Sequence, residues 1–277
     1  MIPFTKMHGL GNDFILVDAI RTPIKPSESE ALSRQMNHRK FGIGGDGLIL
    51  AERGEAAPFK MLMYNPDGSE SEMCGNGIRC FAKFVRAKGY TSELTIPVET
   101  GAGLLELQLQ ENGQVRVAMG AARFRRGEIP VAGNPDEEFI EQPVEVDELR
   151  FVGTAVSMGN PHVVIFTEKV SSVPLERWGP LLEHHPLFPN RINVHFAEIV
   201  SRQEIIQRTW ERGAGVTLAC GTGACAVAAA AFKSDRAERD VTIQLPGGSL
   251  RIECTADGTV FMTGPAETVF EGEWGAA

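Results

Sequence analysis

The sequence predicts an α+β protein of two similar lobes, related by a pseudo-twofold axis, each a curved, mainly antiparallel sheet wrapped around one central helix. Three observations carry that expectation. The chain resembles itself at a spacing of 146 to 148 residues. Short β-rich segments separated by Gly, Pro and Asn turns fill each half, and each half holds one strong helix that begins beside a cysteine.

The self-similarity is clearest at "EMCGNGIRCF" (72–81) and "LACGTGACAV" (218–227), which place Cys74 opposite Cys220. At the same offset Tyr64-Asn65 falls on Trp210-Glu211, and "GLILAE" (47–52) falls on "NVHFAE" (193–198). With two extra residues, "GNDFILV" (11–17) matches "GNPHVVI" (159–165). The period is far longer than a solenoid repeat, so the expectation is two domains and not an array. The first lobe is taken as residues 1–120, with the last strand, about 264–277, returning to it; the second is 121–263.

In the first lobe the strand-like segments are "FILVDAI", "GLILAE", "FKMLMY", "ELTIPVE" and "LLELQLQ". In the second they are "FVGTAVSMG", "HVVIF", "NVHFAEIV", "IIQRTW", "VTIQLPG" and "LRIECTA". Segments 27–38 and 175–184 are expected as outer helices, with His184-His185 capping or following the second. After Cys74, Ile78, Phe81, Ala82 and Val85 make an apolar face, while Arg79, Lys83 and Arg86 share a narrow stripe; Gly89 is a natural stop. After Cys220, "GTGACAVAAAAF" is apolar around its whole circumference, the pattern of a buried helix.

Composition excludes several classes. A formal charge of −9 argues against nucleic acid, and "RFRR" (123–126) is too short to reverse it. The amino terminus lacks the apolar core of a signal peptide, and the longest apolar run, Ala224 to Phe232, is too short to span a bilayer, so no membrane association is expected. Five cysteines without disulfide-framework spacing indicate a reduced, cytoplasmic protein. Neither Cys74/Cys80 nor Cys220/Cys225 has zinc-site spacing, so no metal is expected. "GIGGDG" (42–47) satisfies G-x-G-x-x-G, but a strand-like segment follows it where a nucleotide fold needs a helix.

The doubled cysteine turn carries the chemistry. A helix amino terminus has N–H groups without intrahelical partners and a partial positive charge. A thiol there should ionise below the free value of about 8.5. Gly75, Gly77, Gly221 and Gly223 let backbone N–H groups close around a carboxylate. Two such turns on opposite sides of a shared cleft suit inversion of a stereocentre beside a carboxylate: one thiol removes the α-proton and the other returns a proton to the opposite face. No cofactor is demanded. Cys80, Cys225 and Cys254 lie inside a helix or strand and read as core residues. Two rival classes remain, a dithiol redox protein, disfavoured by the lack of C-x-x-C, and a non-catalytic amino-acid-binding protein.

The stretches "MHGLGNDF", "GIGGDG", "YNPDGSESEMCGNGIRC", "SMGNPH", "RINVHFAEI" and "WERGAGVTLACGTGAC" resemble the diaminopimelate epimerase family over nearly the whole chain. The resemblance implies inversion of one centre of LL-2,6-diaminopimelate to the meso isomer, no cofactor, a homodimer, and a role in lysine and peptidoglycan precursor synthesis. It implies Cys74 and Cys220 as the acid–base pair, with Cys220 accepting and Cys74 donating in the LL to meso direction. It implies that Gly75, Asn76, Gly221 and Thr222 receive the reacting carboxylate. It implies that Asn12, Asn65, Asn160, Asn193, Glu211 and Arg212 hold the distal amino acid end and that His162 and Glu211 tune the thiols. Gly47 stands where some members carry a substrate-contacting glutamine, and it is left out of the site.

Overall fold

The computed structural model describes residues 1–71 and 73–275. It divides into two compact units, Met1–Val117 with Gly264–Ala277, and Ala118–Thr263. In the first unit the chain runs β1 (Ile2–Gly9), β2 (Asn12–Asp18), α1 (Pro26–Asn37), β3 (Gly47–Glu52), β4 (Phe59–Tyr64) and β5 (Glu70–Ser71). It continues through α2 (Gly75–Ala87), β6 (Thr95–Thr100), β7 (Gly103–Leu109) and β8 (Val115–Ala121). The second unit holds β9 (Gln142–Val146), β10 (Leu149–Ser157), β11 (Pro161–Phe166), α3 (Leu175–Glu183), β12 (Asn193–Ser201) and β13 (Glu204–Glu211). After these come β14 (Gly215–Thr217), α4 (Gly221–Lys233), β15 (Asp240–Leu245), β16 (Gly248–Cys254) and β17 (Thr259–Gly264); β18 (Glu267–Trp274) belongs to the first unit.

The duplication read from the sequence is visible in the strand register. In the first unit β2 and β3 pair in parallel with Phe14 opposite Gly47, and β3 and β4 pair antiparallel with Leu48 opposite Tyr64. In the second, β11 and β12 pair in parallel with His162 opposite Asn193, and β12 and β13 pair antiparallel with Val194 opposite Trp210. Each pairing carries over at the offsets found in the sequence. So do the helices that follow the two cysteines, each 13 residues long. The strand β18 pairs with β1, Ile2 opposite Trp274, as β9 pairs with β10.

Both faces of each sheet are covered, which explains why few strands alternate cleanly between apolar and polar residues. On the outer face Ile15, Val17, Leu48, Leu50 and Tyr64 pack with Met36 of α1. Their counterparts Val163, Ile165, Val194 and Phe196 pack with Leu175, Trp178 and Leu182 of α3. The inner face of the first unit receives α2, which touches β1, β2, β3 and β7; that of the second receives α4, which touches β10, β11, β12, β13, β15 and β16. Gly89 ends α2 with φ +78°, and the Tyr90 N–H reaches back to the Val85 carbonyl.

One feature differs from the stripe expected along α2. Arg79 has no exposed surface, whereas Lys83 is half-buried and Arg86 exposed. The first two turns, Gly75 to Ala82, are buried, and exposure begins at Lys83. Among the described residues no helix is long and apolar enough to cross a membrane.

Candidate active site

Each unit carries its own constellation at the amino terminus of its central helix. Cys74 and Cys220 are the N-cap residues of α2 and α4, both extended, at φ/ψ of −132°/122° and −120°/107°. Their carbonyls accept the first intrahelical bonds, from Ile78 N–H at 2.8 Å and Ala224 N–H at 2.9 Å. That geometry presents each thiol beside the N–H groups of the first turn.

In the first unit the Cys74 thiol donates to Asn12 Oδ1 at 3.7 Å, and the same oxygen accepts from Asn76 Nδ2 at 3.0 Å. Asn12 Nδ2 donates to Asp46 Oδ2 at 2.7 Å. Asp46 is held in turn by Arg39, which also binds Asp13, both at 2.7 Å. Burial opposes ionisation of Asp13, but hydrogen bonds from Arg39 and Lys6 win and hold its carboxyl down to about 2. On the helix side, Arg79 donates to the Gly75 carbonyl at 2.9 Å, to Asn76 Oδ1 at 3.0 Å and to the Pro265 carbonyl at 3.0 Å. Asn12, Cys74, Gly75 and Asn76 are thus one linked set. Asn65 is bonded elsewhere, its amide donating to Ser69 Oγ at 3.0 Å in the turn after β4. At Gly47 an added Cβ would lie 3.1 Å from Met63 Cε, 3.2 Å from the Tyr64 carbonyl oxygen and 3.4 Å from Phe14, so the position is tightly enclosed.

In the second unit strand parity puts His162, Asn193, His195, Gln207 and Thr209 on the inner face, all buried. His162 Nε2 lies 2.8 Å from Asn160 Oδ1, and His162 Nδ1 lies 2.9 Å from His195 Nε2. His195 Nδ1 is 3.0 Å from Thr209 Oγ1 and 3.1 Å from Gln207 Nε2. Asn160 Nδ2 donates to Thr222 Oγ1 at 3.4 Å, and Thr222 Oγ1 is 3.7 Å from Cys220 Sγ. Burial, reinforced by His195 and then Arg212, pushes His162 well below the ordinary histidine range; burial pushes His195 down to about 3. Both imidazoles are neutral at pH 7.

The remaining residues of the second set gather at the end of β13. Asn193 Oδ1 accepts from the Arg212 backbone N–H at 2.9 Å, and Asn193 Nδ2 donates to the Pro161 carbonyl at 2.8 Å. The Arg212 guanidinium donates to the Asn190 carbonyl at 3.1 Å, and Glu211 accepts from the Thr217 hydroxyl at 2.6 Å. Gly221 and Thr222 open α4 directly after the thiol. Elsewhere burial pushes the Cys80 thiol up to about 12 and Cys254 up to about 11, so both are poor nucleophiles.

A family model for diaminopimelate epimerase matches residues 4–125 and 154–269. The chain is 50% identical over 276 residues to the diaminopimelate epimerase of Moorella thermoacetica, covering 98% of each chain. It is 50% identical over 277 residues to that of Acetivibrio thermocellus, covering 98% of this chain and 97% of the other. The chain belongs to the diaminopimelate epimerase family. The same fold, at low identity, occurs in a phenazine biosynthesis protein of the PhzF family from Bacillus anthracis. There the TM-score is 0.73 and the identity 18%, with 99% of each chain covered. A probable proline racemase from Agrobacterium radiobacter K84 aligns with a TM-score of 0.71 and 15% identity, over 100% of this chain and 94% of the other.

Five polar residues around these family motifs escaped the sequence reading: Asp46, Arg79, His195, Gln207 and Thr209. A signal existed for one of them. His195 lies two residues after Asn193 in the same strand, and a period of two places both on one face.

Proposed function

We propose that this member of the diaminopimelate epimerase family converts LL-2,6-diaminopimelate to the meso isomer by two-base catalysis, without a cofactor, supplying lysine and peptidoglycan precursor synthesis. The observation that carries it is the paired N-cap: a cysteine at the start of the central helix in each of two register-matched units. In the LL to meso direction the Cys220 thiolate takes the α-proton, so the Cα–H bond breaks and an S–H bond forms. The electron pair moves onto the α-carboxylate, held by N–H groups of Gly75, Asn76, Gly221 and Thr222 at the two positive helix ends. The Cys74 S–H then gives its proton to the other face of the carbon. The enzyme is left with thiolate at Cys74 and thiol at Cys220, the form that runs the reverse reaction.

Asn12, Asn65, Asn160, Asn193, Glu211 and Arg212 hold the distal amino acid end. Their types suit an ammonium and a carboxylate, with Arg212 as the fork-shaped partner of the latter. His162 and Glu211 tune the thiols. The protein works in the cytoplasm as a homodimer, the latter testable by sedimentation. The decisive experiment is incubation with LL-2,6-diaminopimelate in D2O, with NMR and chiral separation following α-hydrogen exchange and stereochemistry. Meso product carrying deuterium at the inverted centre is expected. Binding without exchange would leave an amino-acid-binding protein instead.

A further inference from the structure

The matched asparagines Asn12 and Asn160 turn opposite ends of their amides toward their helices. In the first unit Asp46 is paired with Arg39 and accepts Nδ2 of Asn12 at 2.7 Å, which leaves Asn12 Oδ1 facing Asn76 and the Cys74 sulfur. A carbonyl oxygen attracts an S–H and repels a thiolate. In the second unit the order of donors is reversed. Gln207 Nε2 lies 3.1 Å from His195 Nδ1, and with Nε2 as the donor there the His195 proton sits on Nε2. A neutral imidazole has one donor and one acceptor, so fixing one nitrogen fixes the other. In that arrangement His195 Nε2–H points at His162 Nδ1, 2.9 Å away, and His162 Nε2–H at Asn160 Oδ1, 2.8 Å away. Asn160 is left with Nδ2 toward Thr222 Oγ1 at 3.4 Å, and the Thr222 hydroxyl hydrogen is free to point at Cys220 Sγ, 3.7 Å away.

Phe14 and Ile49, both fully buried, stand at the register positions of His162 and His195. The asymmetry therefore lies in the inner faces of the two sheets, while the helices and their cysteine caps match.

We propose that Asp46 and His195 are positioning residues of opposite sense, which bias the resting protein toward thiol at Cys74 and thiolate at Cys220. Asp46 acts through Asn12, and His195 acts through His162, Asn160 and Thr222. This rests on the assignment of the two cysteines as acid and base, and it explains which of them is the base when LL substrate arrives.

The unmodified protein gives the first test. ¹⁵N-resolved ring shifts should show both His162 and His195 as Nε2–H tautomers, and an Nδ1–H tautomer at His162 would overturn the relay. Peptide mapping after brief iodoacetamide treatment at neutral pH should find Cys220 modified faster than Cys74, although Cys220 is only 5% exposed and Cys74 more accessible. His195→Phe removes the donor to His162 and should slow Cys220 alkylation about tenfold, the effect of a tenfold smaller thiolate fraction, with Cys74 unchanged. His195→Gln, whose amide nitrogen stands near the place of Nε2, should restore most of that rate. Asp46→Asn, freeing Asn12 to turn, should speed Cys74 alone. Unchanged ratios in His195→Phe and Asp46→Asn would overturn the proposal even if Cys220→Ala abolishes α-proton exchange. Exchange that survives Cys220→Ala would instead overturn the acid–base assignment beneath it.

Discussion

Gly223 leaves no room for a methyl group against the imidazole of His195. A Cβ at position 223 would run into the ring and come within 3.0 Å of the Cys220 sulfur. The second glycine of the G-T-G turn is therefore there for close approach of helix to sheet, beyond any freedom it lends the turn. Gly223→Ala should cost about 1–3 kcal/mol through overpacking. Each kcal/mol should appear as a fall of about 2–4 °C in Tm. Epimerisation should fall more steeply than stability, because the displaced groups are His195 and the thiol. An alanine variant with wild-type turnover would show that the ring is not held there.

Cys74→Ala and Cys220→Ala should each reduce turnover by at least the roughly 10²–10⁴-fold of a lost proton-transfer group. Thermal unfolding should change little, since neither sulfur is part of the apolar clusters formed with α1 and α3. Full turnover by either variant would remove that cysteine from the mechanism.

The neutral histidine pair should make the protein sensitive to acid. The pKa of each group is lower in the folded than in the unfolded chain, so the unfolded chain binds more protons below about pH 6.5. Their contribution is present at pH 7 and above. It is lost progressively as pH falls from about 6.5 toward the folded value, about 3 for His195. Between pH 7 and pH 5 the loss is about 2 kcal/mol for His195, and His162 adds a loss of the same sign. Urea titrations at the two pH values should show a smaller decline for His195→Gln than for the wild type. Equal declines would mean that His195 is not buried in its neutral form.

Arg79→Met keeps much of the volume but strips the donors from three acceptors, the Gly75 and Pro265 carbonyls and Asn76 Oδ1. A hydrogen bond from a charged group is worth about 1.5–3 kcal/mol, so a loss near 3 kcal/mol in denaturant titration is expected. With Asn76 released at the start of α2, KM for diaminopimelate should rise as well. A loss of stability with KM unchanged would confine Arg79 to structure.

Much of the architecture could be read from the amino acids because duplication samples it twice. Cys74 with Cys220, and "GLILAE" with "NVHFAE", locate the same helix start and the same strand in both halves, and local Gly, Pro and Asn turns mark the ends. Strands such as β1 were harder to see. Its residues Phe4 to Met7 are buried on both faces, so no alternation announces it. His162 is among the site residues that the family resemblance implies, but its partners His195, Gln207 and Thr209 are not. They become its neighbours only through the parallel register of β11 with β12 and the antiparallel register of β12 with β13. Such cross-strand adjacency leaves no trace in spacing along the chain. Asp46 sits inside a glycine-rich stretch that satisfies a nucleotide-loop pattern, and Arg79 shares its stripe with Lys83 and Arg86, so charge alone does not set it apart.

The pairing of β18 with β1 has a consequence for synthesis. Residues 118–263 are contiguous, so the strands of that unit are all synthesised before β18. The first unit must wait for β18, because the partner of Ile2 is Trp274, made only after the whole of the second unit. The half begun first thus receives its last strand after the other half has been made, and until β18 pairs its β1 edge stays open to chaperones or to mispairing with other nascent chains.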